Sequence, residues 1–189
     1  MPSRTQILCL HEGEKGRSID PIFIHKLLKT LDPSWIRPWK GNNIIRTRDY
    51  GGRKSLINAM PQELLNCMRM GGNTTLMVWA DVDDNMADCD ALKAEFWKIS
   101  QQEGITREQF DRVVFVFARD RIENWIEFLN TGTTDESKEG PRVKYDREVA
   151  DAAKKLGEMC LSGLSTPSLP PSLEWSCKNW RVLKDRMEG

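Results

Sequence analysis

An unbroken apolar run ends in two acids: Thr75-Leu76-Met77-Val78-Trp79-Ala80-Asp81-Val82-Asp83-Asp84. A run that is continuous rather than alternating reads as a strand buried on both faces, and such strands belong to parallel sheets covered by helices. This segment therefore points the chain toward an α/β architecture. Residues i and i+2 of a strand share a side, so Asp81 and Asp83 are expected to face one way at the strand's carboxyl end. Open α/β sheets bind ligands at that edge. Two adjacent carboxylates repel and need a proton or a cation between them; a hard divalent cation such as Mg2+ suits them. The competing role for the pair is structural, a helix N-cap and a turn acid, with Asp84, Asp88 and Asp90 crowding the same stretch.

The rest of the chain supplies the partners such a sheet needs. Gln6 to Leu10 is a short apolar strand, followed by a turn through Gly13 and Gly16. A helix is expected from Ile19 to Leu31, with Asp20 as N-cap and Pro21 at its first position. Trp35 to Lys40 and Asn43 to Thr47 are short strand candidates. Ser55 to Met70 carries apolar residues at helical spacing, with Pro61 expected to divide it. A helix over 88–103, a buried strand over 112–118 and a helix over 122–129 follow. Asp120 reads as a cap, and Glu123 stands near the helix start, where an acid also suits the helix dipole. The polar stretch 131–142 reads as a mobile loop, and two helices complete the chain. The whole predicts a mostly parallel, doubly wound sheet of four to five strands with helices on both faces. Residues 1–130 form the core, and 143–189 a helical extension packed on it.

Composition narrows the function classes. The 189 residues carry 28 Lys plus Arg against 28 Asp plus Glu, so nucleic acid would have to be met by a local patch rather than by bulk charge. The segment 35–54 supplies a candidate: Arg37, Lys40, Arg46, Arg48, Arg53 and Lys54 against Asp49, six minus one, a local charge of +5. Trp35, Trp39 and Tyr50 interleave with it, as suits a phosphate backbone or an unstacked base; a solvated hairpin is the plainer alternative. The five scattered cysteines form no CxxC pair and read as buried, reduced thiols. No stretch approaches the roughly 18 apolar residues of a membrane span, and the start of the chain lacks a signal-peptide pattern. The expectation is a cytoplasmic protein without a membrane partner.

Three strand ends carry acids: Glu12, then Asp81 with Asp83, then Asp120 and Glu123. This pattern resembles the Toprim domain of primases, type IA topoisomerases, OLD-family nucleases and small defence-associated nucleases. Ile7-Leu8-Cys9-Leu10-His11-Glu12-Gly13 resembles its strand ending in Glu-Gly, and Asp81-Val82-Asp83 its Asp-x-Asp strand end. Ile122-Glu123-Asn124-Trp125 is similar to the Ile-Glu-x-Trp element of small OLD-like members. Gly51-Gly52-Arg53-Lys54-Ser55-Leu56 and Pro171-Ser172-Leu173 also resemble stretches of that group. One departure stands out: the nuclease branch often has an acid four positions after the glutamate, where this chain has Gly16; either Asp20 takes its place across a longer turn or the role is lost.

The resemblance implies a Rossmann-like Toprim fold and Mg2+-dependent hydrolysis of phosphodiester bonds, with Mn2+ as a substitute. It implies Glu12, Asp81, Asp83 and Glu123 as metal ligands, Glu12 alternatively as general base. Lys15, Arg119 and Arg121 are candidates for offsetting charge on the transferred phosphate. The implied activity is a nuclease acting on DNA ahead of RNA, in an anti-phage or toxin-like system, with an ATPase as a possible partner. The alternative is a non-catalytic metal- or phosphate-binding subunit that regulates or assembles with another protein.

Overall fold

The computed structural model describes residues 6–14, 16–30, 45–70, 74–162 and 168–188. In chain order these build β1 (Gln6–His11), α1 (Asp20–Thr30), β2 (Ile45–Asp49), α2 (Arg53–Arg69) and β3 (Thr74–Val82). They continue with α3 (Cys89–Gln102), α4 (Arg107–Phe110), β4 (Val114–Arg119), α5 (Ile122–Thr131), α6 (Asp146–Ser162) and α7 (Pro171–Glu188). The strand candidate over 35–40 and the site candidates Lys15, Arg37 and Lys40 lie outside the described residues.

Four strands form one sheet in the order β2-β1-β3-β4, and every neighbouring pair is parallel. The architecture is the parallel α/β arrangement expected from the apolar runs, and it is consistent with a Rossmann-like fold. β3 lies at its centre and is buried on both sides. Leu76, Val78, Ala80 and Val82 join the core under α2 and α3, while Met77 and Trp79 join the core under α1, α5, α6 and α7. This two-faced burial is why its sequence is continuous rather than alternating. Among the described residues no helix is long and apolar enough to cross a membrane.

The α1 face is closed by tight helix packing. A Cβ on Gly157 of α6 would stand 2.6 Å from Thr30 Cγ2 and 2.8 Å from Thr30 Cβ, so only glycine lets α6 lie this close to α1. The opposite face holds an aromatic cluster, in which Phe96 stacks on Phe117 and tilts against Phe115, and Trp175 stacks on Phe117 at 5.1 Å.

Pro61 does not divide its helix: α2 runs unbroken through it. A proline inside a helix costs about 3 kcal/mol in a lost backbone bond and steric conflict. Leu56, Ile57, Met60, Leu64 and Cys67 bury one continuous stripe against the sheet. At roughly 1.5–3 kcal/mol for each large apolar side chain, that burial outweighs the cost.

α7 finishes the sheet edge. Its Ser172, Ser176 and Asn179 bond to Arg119, Phe117 and Phe115 of β4, all at 3.0 Å. Ser176 Oγ both accepts from the Phe117 amide and donates to the Phe117 carbonyl. Four helical residues rise about 6 Å and two strand residues about 6.6 Å, so side chains one helical turn apart meet alternate strand residues. The helix thus takes up the backbone groups that an edge strand otherwise leaves open. Ser172 also accepts from Trp125 Nε1 at 2.9 Å and donates to Glu136, so its hydroxyl is fully used. Glu136 lies in the stretch 132–145, which lacks regular structure but is also bonded through Lys138 to Asn124.

Candidate functional site

The sheet register brings the acids together. β1 pairs with β3 so that His11 lies opposite Trp79, which sets Glu12 beside Ala80 at the carboxyl edge. From there Glu12 Oε1 accepts the backbone amide of Asp81 at 3.1 Å. The turn that follows needs glycine: a Cβ on Gly13 would strike the Ser18 side chain and stand 2.9 Å from His11 Nδ1. The Glu-Gly pair is therefore a geometric unit, in which the glycine lets the chain fold back beneath α1.

Asp20 lines this site, as its reading as a stand-in for the acid missing at Gly16 allows and its reading as a plain N-cap does not. Ser18 Oγ accepts the Asp20 amide at 3.1 Å, so Ser18 bonds the start of the helix. Asp20 is the first residue of α1, and its Oδ2 lies 3.6 Å from Nδ1 of the buried His11. Asp20-Pro21 looks like a cap and first turn; only the fold shows that its carboxylate faces Asp81.

Asp81, Glu12, Asp20 and Glu123 line one cleft of about 740 Å³ between the sheet edge and the starts of α1 and α5. Arg17, Arg121 and Arg142 line the same cleft. The acids disturb one another. Burial first, then the charges of Asp20, Glu12, Glu123 and Asp83, hold the Asp81 carboxyl well above the usual carboxylate range. Burial pushes Glu12 up to about 7; the Asp81 amide and Arg53 oppose this, and Asp83 and Asp20 add to it. Glu123 is raised by burial, helped by Asp20 and Glu139 and opposed by its own helix amide and Arg121.

Asp83 departs from the expected arrangement. β3 ends at Val82, so the side-to-side alternation stops there and the chain turns, with the Met86 amide bonded to the Asp83 carbonyl at 2.9 Å. Asp83 is half exposed and pairs with Arg53 of α2, Nη1 to Oδ2, at 2.6 Å. This is a charge contact without hydrogen-bond alignment. Asp83 does not line the cleft, although its charge still acts on Glu12 and Asp81.

Asp120 is not a helix cap either: the N-cap residue of α5 is Arg121. Asp120 has φ 63°, and around it the Arg121 amide bonds back to the Arg119 carbonyl at 2.8 Å. This is the strained form of γ-turn, centred on a residue that bears a Cβ. Its Oδ2 is buried without a hydrogen-bond partner. Burial raises its pKa, with Asp84, Glu139 and Asp83 adding and Arg121 opposing.

The basic segment does not form one surface around the acids. Arg46 and Arg48 alternate on β2, both toward a groove shared with Glu63, Asn66 and Thr74, and Arg48 is bonded to Glu63 at 2.6 Å. Lys54 is exposed on α2 and lines a shallow groove with Glu95 and Lys98. Of the described members only Arg53 reaches the acids. The cleft instead draws its arginines from elsewhere. Arg121 was a candidate, and it pairs with Glu139 at 2.5 Å. Arg119 turns to the Ala87 carbonyl at 2.7 Å. Arg17 and Arg142 carry no sequence motif.

The donors in the cleft are all oxygens, which fits a hard cation such as Mg2+. Among the described residues no three His, Cys, Asp or Glu side chains already form a closed set for a metal; the acids line an open cleft. No family model, no curated protein and no solved structure matches the chain.

Proposed function

We propose that the protein is a Mg2+-dependent nuclease, a hydrolase of phosphodiester bonds of the Toprim kind. The observation that carries this reading is the shared cleft: Glu12, Asp20, Asp81 and Glu123 line it, burial and neighbouring acids raise the pKa of Asp81, Glu12 and Glu123, and Arg17, Arg121 and Arg142 line the same space. Carboxylates crowded in this way are lowered in energy by a bound cation. Arginines beside them attract an anion. A metal-bound phosphodiester supplies both charges.

Bound Mg2+, or Mn2+ in its place, supplies a Lewis acid for the phosphate and lowers the pKa of water. Asp81, Glu123 and Asp20 would hold it from the cleft, and Asp83 would join them only by leaving Arg53. Glu12, which lines the same cleft and accepts the Asp81 amide, would take a proton from water. Arg121, Arg17 and Arg142 would orient the phosphate and offset its charge. The Toprim kinship, a DNA substrate ahead of RNA, a role in antiviral defence and an ATPase partner rest on the motif resemblance alone.

The test is cleavage of plasmid, linear duplex, single-stranded DNA and tRNA with Mg2+ or Mn2+, comparing the wild type with Asp81→Asn and Glu12→Gln. Metal-dependent cutting that both variants lose supports the reading. If the wild type binds Mg2+ but cuts nothing, the protein is instead a non-catalytic metal- or phosphate-binding subunit. The Arg53–Asp83 pair favours that second reading, because it already engages one of the two strand-end aspartates.

A further inference from the structure

Cys160, near the end of α6, and Cys177, in the second turn of α7, bring their Sγ atoms to 2.8 Å in the core. The buried contact between Cys9 Sγ and Met77 Sδ is far looser, at 4.0 Å. We propose that Cys160 and Cys177 are a reversible disulfide pair that fastens α7 to α6.

A disulfide has an S–S length of about 2.05 Å, so the two sulfurs need to approach by only about 0.8 Å. The side chains around them have room to follow. A void of about 10 Å³ lies against both cysteines, lined also by Leu27, Val116, Trp125 and Leu156. Cys160 is 9% exposed and Cys177 8%, so the pair lies near the limit of the core, where a small oxidant would reach it more readily than a bulky one. With hydrogen peroxide, one thiolate attacks the O–O bond to give a sulfenic acid and release hydroxide. The second thiol then displaces water from that sulfenic acid and the S–S bond forms. In sum, two thiols and one peroxide give one disulfide and two waters; a dithiol reductant restores the thiols by exchange.

The consequence is mechanical. The two cysteines are 17 positions apart, and the bond would close that stretch of chain. α7 is the helix whose Ser172 and Ser176 satisfy the outer backbone groups of β4. Cross-linking it to α6 holds that edge cover in place.

The reduced full chain would be treated with hydrogen peroxide, unfolded without reductant and alkylated, then compared with untreated protein. Intact mass and peptide mapping should show two of the five thiols lost, joined in one Cys160–Cys177 peptide, and recovered by dithiothreitol. The oxidised protein should melt higher by roughly 5–10 °C. Cys160→Ser should keep its remaining cysteines alkylatable after the same treatment. The proposal is overturned if all five thiols still label, if a disulfide joins other cysteines or two copies of the chain, if one cysteine is oxidised to sulfinic acid instead, or if oxidation lowers the melting temperature.

Discussion

Arg53 Nη1 stands 2.6 Å from Asp83 Oδ2, so a cation carried by the chain itself flanks the acid cluster. Its charge also opposes the rise of the Glu12 pKa. Arg53 does part of what a bound metal would do, and it would compete with such a metal for Asp83. Arg53→Ala should therefore tighten Mg2+ binding. The pair is partly exposed, with Asp83 at 54%, so it is worth only about 0.2–1 kcal/mol. The expected change is about 1.4- to 5-fold in affinity, read by calorimetry or by competition with Mn2+ in electron paramagnetic resonance. Weaker binding in the variant would mean that Arg53 holds Asp83 in position as a ligand.

The stability of the metal-free protein should fall as pH rises through neutrality. Glu12 is raised from 4.5 to about 7, so the folded state keeps a proton that the unfolded chain has already released. Between those values the folded state binds more protons, and each step up in pH costs stability. For Glu12 alone the loss is on the order of 3 kcal/mol by pH 8; Asp81 acts in the same direction. Glu12→Gln, which can still accept the Asp81 amide, should flatten the profile and be more stable than the wild type at pH 8. Mg2+ should restore the wild type above pH 7 and do little at pH 5, because its ligands must be ionised. Denaturant melts at pH 5, 6.5 and 8 with and without Mg2+ read all of this; a wild type that gains stability toward pH 8 without metal contradicts the assignment.

The sheet was readable because burial on both faces writes itself into a strand as an unbroken apolar run, as in β3 and β4. The acids Glu12, Asp81 and Glu123 were readable because strand ends in such folds share an edge. Asp20 was readable only as one of two alternatives, a stand-in for the acid missing at Gly16 or an N-cap, since an Asp-Pro pair looks like a helix start whether or not its carboxylate faces another strand. Pro61 misled because local propensity omits the stripe from Leu56 to Cys67 that holds α2 together. The short helix α4 was missed although its signal was present. Thr106 and Gln109 form a reciprocal capping box, with Thr106 Oγ1 accepting the Gln109 amide at 3.2 Å. The basic residues of β2 were grouped by nearness in sequence, but strand alternation sent Arg46 and Arg48 toward α2 rather than to the cleft.

Ser172 should be among the most costly small substitutions in the molecule. Its hydroxyl accepts the Arg119 amide and Trp125 Nε1. Ser172→Ala leaves both donors without that acceptor, in a place where Ser172 is 3% exposed. A buried donor left unpaired costs about 1–3 kcal/mol, so the variant should lose roughly 2–4 kcal/mol in urea or guanidinium unfolding. Ser172→Thr keeps the hydroxyl and adds only a methyl, so it should recover part of the loss. If the alanine variant unfolds like the wild type, α7 is not held to β4 through this residue.

Asp120 sits at the junction between the strand that ends in the cleft and the helix that carries Glu123, and it is strained there. A left-handed backbone costs a residue with a Cβ about 1–2 kcal/mol, and Asp120 has φ 63°. Its Oδ2 has no hydrogen-bond partner to offset this. Glycine adopts the same conformation freely but gives back about 0.5–1 kcal/mol in chain entropy. Asp120→Gly should therefore be more stable by about 0.5–1 kcal/mol, a rise of about 1–4 °C in melting temperature for a chain of this size. Asp120→Ala, which keeps the Cβ without the polar group, should show no such gain. Strain that persists beside a cleft is expected to serve it. Cleavage by the glycine variant should then fall even as its melting temperature rises, because the turn that aims Glu123 is loosened. A variant that is less stable and equally active would mean that the Asp120 carboxylate makes a favourable contact and that the turn has no part in the chemistry.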